Sequence, residues 1–206
     1  MGGTKMQVID KTSGKVKVTV TDSQVIIDLN TETTRLSEVV PGGTFKKNGV
    51  EYIVLEQSSD TNAVLRKEIL KRMEYGKNNN WAESDVRKYL NSEYLNELED
   101  AFGANNIVAH TVNLLSMDGL DDYGKTNDKA SLLTIDLYRK YRKQIGKNAG
   151  SWWWLSTPDS TPSGAGANYV RGVDSDGNVD CGDYYYDGGV RPFCILKSNI
   201  FVSCED

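Results

Sequence analysis

Apolar and polar residues alternate from Lys15 to Leu29 in a run rich in Val, Ile and Thr. That period of two predicts two strands around a turn at Asp22-Ser23. Polar residues 30–38 follow, with Pro41-Gly42-Gly43 as punctuation. Thr44 to Leu55 then reads as two strands joined at Asn48-Gly49, a dipeptide suited to the positive φ angles of a tight hairpin. Ala63-Val64-Leu65 adds a third short strand.

The period then changes. Val86, Leu90, Tyr94, Leu98 and Phe102 recur at every fourth residue, which predicts a helix capped by Ser84 or Asp85 and ended by Gly103. A further helix is predicted from an N-cap at Thr134 through Leu137, Tyr138 and Tyr141 to Gly146. Arg139, Lys140, Arg142 and Lys143 form its solvated face and complement the dipole toward its C-terminus. Residues 117–130, rich in Asp, Gly, Asn and Lys, read as a surface loop. From Ser151 onward short strands alternate with Gly, Pro and Asx turns. Trp152-Trp153-Trp154-Leu155 is a strand whose alternate indoles face opposite ways. Residues 168–173 and 178–180 form a hairpin around 174–177, and strands at 190–196 and 200–202 close the chain.

Composition narrows the function classes. The chain of 206 residues is 38% hydrophobic and 26% charged, enough for one domain with a core, or one domain and an appendage. No apolar run reaches the ~18 residues of a membrane span. The opening Met1-Gly2-Gly3-Thr4-Lys5-Met6 has no apolar stretch of the Sec signal type. The net charge of −5 argues against a nucleic-acid binder relying on bulk electrostatics. All of that charge arises in residues 151–206, with three basic and eight acidic side chains, whereas residues 1–150 balance at 21 of each. The same segment holds all three cysteines, three of the four tryptophans and three of the four prolines. Its chemistry differs from the rest.

The familiar chemical motifs fail in turn. Asp174-Ser175-Asp176-Gly177-Asn178-Val179-Asp180 invites a calcium loop, but position 6 would be Val179 and position 12 Tyr185, where glycine and a bidentate Glu are required. A turn on Asp176-Gly177 explains the same residues. There is no GxSxG, Walker A or HExxH run. His110 is the one histidine and sits in an apolar alternating stretch, which suits packing better than acid–base work. Cys181, Cys194 and Cys204 include no CxxC pair, and a Cys194–Cys204 bridge would leave Cys181 over. No metal, cofactor or catalytic residue is expected.

One run stands out. Asp183-Tyr184-Tyr185-Tyr186-Asp187 lies near Asn168, Arg171 and Asp180. Three consecutive tyrosines cannot all face a core, because a strand alternates and a loop exposes. Tyrosine gives large contact area for little lost rotamer freedom, and Asn, Asp, Ser and Gly supply adaptable hydrogen bonds, the composition of a paratope. Asn168, Arg171, Asp180, Asp183, Tyr184, Tyr185, Tyr186 and Asp187 are therefore the candidate ligand-binding residues. Alternating side chains put 180, 182 and 184 on one face and 181, 183 and 185 on the other, so a single patch needs a bend within 182–187. Gly182 and Gly188 are the expected bends.

The blocks Lys46 to Leu55, Trp81 to Asn91, Asp128 to Leu133, Trp153-Trp154-Leu155-Ser156-Thr157-Pro158, Ala167-Asn168-Tyr169-Val170, Asp176-Gly177 and Gly189-Val190-Arg191-Pro192 resemble successive blocks of one bacterial and phage domain family of unassigned function. The resemblance spans roughly residues 36–200. It implies a C-type lectin-like fold of the kind found in variable proteins of diversity-generating retroelements, often receptor-binding or cell-surface proteins. In those proteins adenine-directed mutagenesis yields Asn, Tyr, Asp, Ser, Gly, Cys and Thr, a set in which residues 156–187 are rich. Trp154, Gly189 and Arg191-Pro192 would then be scaffold. Ser156 departs from the family pattern, in which many relatives carry Arg after the Leu.

The expected architecture is thus α+β, C-type lectin-like, with two helices on antiparallel sheet and a loop-rich C-terminal half. Residues 1–35 would be a β-hairpin extension, and 36–206 a ligand-binding domain whose variable region is 151–206. The expected function is non-enzymatic recognition of a protein or glycan ligand on another cell surface, with no nucleic acid and no membrane insertion, from a virion or cell surface. The alternatives are a lectin-like oxidase of the formylglycine-generating type using Cys194 and Cys204, and a structural module that buries its tyrosines in a homotypic contact.

Overall fold

Asn48 and Gly49 take φ angles of 50° and 79°, the two left-handed positions of a type I′ turn, and join Thr44–Lys47 to Val50–Gln57. From that hairpin grows the larger sheet of a computed structural model that describes residues 16–20, 25–29, 33–146 and 149–204. Its order is Ala130–Ser131, Phe193–Lys197, Thr61–Arg66, Val50–Gln57, Thr44–Lys47, Phe201–Ser203 and Thr33–Arg35, with Ile107–Val108 also paired to Phe193–Lys197. A smaller sheet runs Val179–Asp183, Tyr169–Val173, Trp153–Pro158, Gly188–Val190 and Lys71–Met73. It is antiparallel apart from one parallel link between Trp153 and Gly189. His110–Asn113 pairs with Lys125–Asp128, and Val16–Val20 with Val25–Leu29. The turn expected at Asp22-Ser23 lies outside the described residues. Thr33–Arg35, the last three residues of the expected 1–35 extension, belongs to the larger sheet through Phe201–Ser203.

This arrangement corrects the expected fold class. The chain is mostly β, built on two curled half-barrel sheets, and not an α+β, C-type lectin-like layout of helices on sheet. The Gly- and Asx-rich C-terminal quarter, read as short strands within a loop-rich half, forms six strands, with one longer connection over 159–168. Turn residues mark where a strand reverses, and short strands between them look like loop when only composition is read.

The helical period also divides differently. Two helices, α1 (Asp85–Leu90) and α2 (Glu93–Phe102), replace the single expected one. Asn91 breaks it: its Nδ2 donates to the Ala130 carbonyl at 2.8 Å and its Oδ1 accepts from the backbone of Lys129 and Ala130. That side-chain bonding competes with continued helix. Ser84 caps α1 by accepting from the Arg87 N–H, and Gly103, at φ 85°, ends α2. The helix α3 (Ile135–Ile145) has Thr134 as N-cap and Gly146 at φ 64° as its stop, as its pattern indicates.

Two apolar clusters result. One gathers Phe45, Tyr52, Tyr75, Trp81, Leu90, Tyr94 and Trp154; the other gathers Ile53, Leu65, Tyr138, Tyr141, Trp153, Leu155 and Phe193. Trp153–Pro158 is buried along its whole length, with Trp153 and Leu155 in one cluster and Trp154 in the other. Residues 117–130 are not all loop. Lys125–Asp128 is a strand, and buried Asp128 accepts from Trp81 Nε1 (2.9 Å), Thr126 Oγ1 (2.7 Å) and Arg87 Nε (2.8 Å). Three donors of one carboxylate tie α1 and the turn before it to the strand. Replacing Asp128 by Ala strands the Trp81 and Arg87 donors and should lower unfolding free energy by about 3 kcal/mol. Urea denaturation measures it, and a loss below about 1 kcal/mol would mean water takes over these bonds.

Candidate functional site

The tyrosine run occupies a turn at the end of the smaller sheet. Tyr169–Val173 and Val179–Asp183 pair antiparallel, with Tyr169 opposite Asp183, Arg171 opposite Cys181 and Gly172 opposite Asp180. Asp174 shapes the connecting turn by accepting from the N–H groups of Asp176 (2.9 Å) and Asn178 (2.8 Å), with Gly177 at φ 85°. Those bonds hold the Asp174 carboxyl below its usual range, the Asn178 amide contributing most. The acidic run is spent on a turn.

Beyond Asp183 the chain reverses. The Tyr186 N–H donates to the Asp183 carbonyl at 2.9 Å. Tyr184 is pinned through its backbone on both sides: its N–H donates to the Asn168 carbonyl at 3.0 Å, and its carbonyl accepts from Tyr75 at 2.8 Å. The Tyr184 ring packs against the Trp154 cluster, while Tyr185 and Tyr186 stay 52% and 54% exposed. The three rings form two edge-to-face pairs, with centroids 5.4 Å apart for Tyr184–Tyr185 and 5.1 Å for Tyr185–Tyr186. Tyr169, 46% exposed, joins them. It was absent from the sequence-derived candidates, although hairpin pairing around 174–177 places it beside Asp183.

The eight candidates do not form one patch. Asp183, Tyr185 and Tyr169 lie together, and the Asp183 charge raises the Tyr185 phenol above its ordinary value. Asp180 points to the other face of the sheet, where its Oδ1 accepts from the Cys181 N–H at 2.8 Å. Tyr186 leans to that face as well, near Gly182. Arg171 is engaged in an ion pair with Asp159, both side chains largely covered. Asp187 is exposed and ion-paired to Arg72 at 3.3 Å, and Arg72 also reaches Ser151 Oγ at 2.9 Å. Asn168 is exposed and contributes the carbonyl that holds Tyr184.

Gly182 and Gly188 are not the bends. Both lie in strands, and what Gly188 provides, together with Gly172, is room. A Cβ on Gly172 would come within 2.2 Å of the Trp152 ring, and one on Gly188 within 2.3 Å of the Trp154 ring. A Cβ on Gly182 would stand 3.4 Å from the Trp152 ring, an ordinary contact. Trp152 and Trp154 meet edge to face at 4.4 Å, and the glycines at 172 and 188 leave the room these two indoles fill behind the turn.

Polar latches set the loops beside it. Buried Asn79 donates to the carbonyls of Ser160 and Tyr169, both at 2.9 Å, and accepts from the Tyr123 hydroxyl at 2.7 Å. Asp118 accepts from Ser160 at 2.6 Å, and Asp122 from the Ser163 N–H at 3.1 Å. Serine donors lower both carboxyls, Ser116 and Ser160 for Asp118 and Ser163 for Asp122. In sequence Asn79 is one of three asparagines that resemble a plain turn, and only its burial separates it from its neighbours.

The thiols and the histidine are tied up elsewhere. Cys194 is buried in the larger sheet and burial pushes its thiol up to about 12. Three strands separate its strand from Phe201–Ser203, which precedes exposed Cys204, so the sheet order opposes a Cys194–Cys204 bridge. Burial also raises Cys181, with Asp159 adding to it. His110 Nε2 lies 2.8 Å from Ser131 Oγ, its ring stands edge-on to Phe193, and burial lowers its pKa. Among the described residues no group of three or more His, Cys, Asp or Glu could hold a metal ion.

On this evidence the molecule is a mostly β domain with an aromatic turn at one sheet edge. The chain belongs to the family described as a domain of unknown function (DUF6273), whose model matches residues 59–136 and 99–198. No curated protein and no solved structure matches it. Of the residues expected as scaffold, Trp154, Gly189 and Arg191 are buried, and Ser156 is buried beside them.

Two outcomes follow from this geometry. Gly172→Ala should destabilise the domain by about 1–3 kcal/mol through the clash with Trp152. In a Trp152→Ala background the same change should be near neutral, a coupling that a thermal-denaturation double-mutant cycle reads directly. At the turn, Asp183→Asn removes the negative charge that favours the protonated phenol, so the Tyr185 titration midpoint should move down toward that of ordinary tyrosine. Carbon-13 NMR of the tyrosine Cζ resolves the shift, and an unmoved midpoint would mean Asp183 does not face the phenol.

Proposed function

We propose that the domain is a non-enzymatic binding protein that recognises a protein or glycan ligand through the exposed aromatic edge where Tyr169, Asp183 and Tyr185 on one side meet Tyr186 on the other. The observation that carries this reading is the exposure of Tyr185 and Tyr186 on a turn fixed by backbone hydrogen bonds, with Tyr169 exposed on the adjoining strand. Among the described residues six large apolar side chains are exposed, and three of them are these tyrosines. Scattered apolar residues need no explanation, whereas a cluster of amphipathic rings marks a recognition surface. Asp183 and Asp187 supply acceptors at its edge. The oxidase alternative on Cys194 and Cys204 requires a thiolate of lowered pKa, and the raised thiol of buried Cys194 gives it no support.

We read both sides of this edge as diversified, in the manner of retroelement-encoded variable proteins. What supports this is composition: Asn168, Tyr169, Asp180, Asp183, Tyr185, Tyr186 and Asp187 are all partly or fully exposed and belong to the residue set that adenine mutagenesis produces. A gene neighbourhood with a reverse transcriptase and a template repeat differing at adenines would accompany it. Variation among isolates should then fall on these positions and spare Gly172, Gly188 and Trp154.

Binding of the labelled full chain to a glycan array and to intact bacterial cells tests the recognition role. Replacing an anchoring tyrosine, Tyr185 or Tyr186, by Ala should weaken binding about thirtyfold. Thermal stability should stay within about 0.5 kcal/mol of the parent. Binding that survives the double replacement removes the proposal. If light scattering instead gives a mass that rises with concentration and falls on the same replacement, the tyrosines serve self-association.

A further inference from the structure

Each side of the aromatic edge sets a carboxylate near an exposed ring. On one side Asp183 lies with Tyr169 and Tyr185. On the other, Asp180 shares the face of Gly182, against which Tyr186 leans. Neither carboxylate is neutralised: among the described residues Asp180 and Asp183 make no ion pair, and no cation lies over Tyr169, Tyr185 or Tyr186. The arginines of this sheet are engaged with other acids, Arg171 with Asp159 and Arg72 with Asp187.

The same chain shows what a tyrosine ring and a carboxylate accept when they stand together. On α3, Lys140 Nζ lies 4.8 Å from the centroid of the Tyr141 ring and donates to Glu56 at 2.8 Å. The Tyr141 hydroxyl donates to that same carboxylate. Ring, carboxylate and cation close into one unit, because the ring quadrupole and the negative charge attract the same group. Tyr185 and Asp183 bring the first two of these groups together at the surface.

Electrostatics points the same way. Residues 151–206 carry eight acidic and three basic side chains. An acidic partner would meet repulsion here, and a neutral one would strip water from Asp180 and Asp183 without returning a charge. A guanidinium answers both groups at once, since its plane stacks on a ring while its edge donates two N–H groups to a carboxylate. An acidic or neutral glycan offers neither.

Resting on the recognition role proposed above, we infer that the partner is a protein presenting an arginine-bearing segment. One guanidinium stacks on Tyr185 and bonds Asp183, and the segment crosses the edge so that a second basic side chain meets Tyr186 and Asp180.

Titration of the full chain, labelled with carbon-13 at tyrosine Cζ, with three capped peptides tests this. They are Gly-Arg-Gly-Arg-Gly, the same peptide with neutral citrulline for arginine, and the same with Glu. The arginine peptide should move the Tyr185 signal and bind at least about fivefold more tightly than the citrulline peptide. The Glu peptide should move nothing. Asp183→Asn should weaken arginine binding about fivefold. Asp176→Asn removes the same charge from the turn at the opposite end of the strand, and at about 0.15 M salt should alter binding by less than about twofold. Equal binding of the arginine and citrulline peptides, equal losses in the two Asp variants, or no shift with the arginine peptide each overturns the inference. Recognition itself is judged separately: if Tyr185 and Tyr186 are needed to bind cells or glycans while the arginine peptide fails, only the cationic partner falls.

Discussion

A strand buried on both faces along its length needs a core on each side, and Trp153–Pro158 is that strand. Its alternation sends Trp153 and Leu155 to one cluster and Trp154 to the other. Much else follows from placing these indoles. Gly172 and Gly188 are glycines because Trp152 and Trp154 occupy the space a Cβ would need. Arg191 can be buried because Trp153 offers its guanidinium a ring face. Tyr75 reaches the same strand, stacking edge-on to Trp154 at 5.4 Å, and its backbone N–H holds the tyrosine turn. The exposed face is thus an extension of the deepest part of the molecule.

Away from that strand, single polar side chains with several bonds each do the joining. Asp128 gathers donors from Trp81, Arg87 and Thr126, and Asn79 links the Ser160 and Tyr169 carbonyls to Tyr123. Asn91 anchors the start of the Ala130 strand while it ends α1. Each is buried or half-buried and each replaces water with partners from separate segments, which makes long connections hold one geometry. At the loops beside the tyrosine turn the joining residue is Asn79.

Local signals were legible in the sequence wherever one residue type has one conformational use. Asn48-Gly49 specified its hairpin, Thr134 and Gly146 bounded α3, and alternating indoles sorted themselves between two cores. The break at Asn91 was hidden because Asn in a helical period reads as tolerated until its side chain finds a distant carbonyl. The overall fold was misread for a related reason. Whether a Gly-rich segment is loop or strand depends on which partner strand lies beside it, and pairing between residues as far apart as Met73 and Gly188 leaves no local trace. At the site, the exposure of Tyr185 and Tyr186 could be argued from three adjacent tyrosines. The removal of Arg171 into an ion pair with Asp159 could not, since neither residue signals the other along the chain.

The way Tyr184 is held has a kinetic consequence. Its backbone bonds to Asn168 and Tyr75 use no side-chain atom of residues 185 or 186. A turn defined in this manner keeps its shape whatever rings it carries, and little chain entropy is lost when a partner lands on it. Association rates for one partner should then be nearly the same across variants of the face, set by diffusion and by the charge of Asp183 and Asp187. Differences between variants would appear in how long each complex lasts.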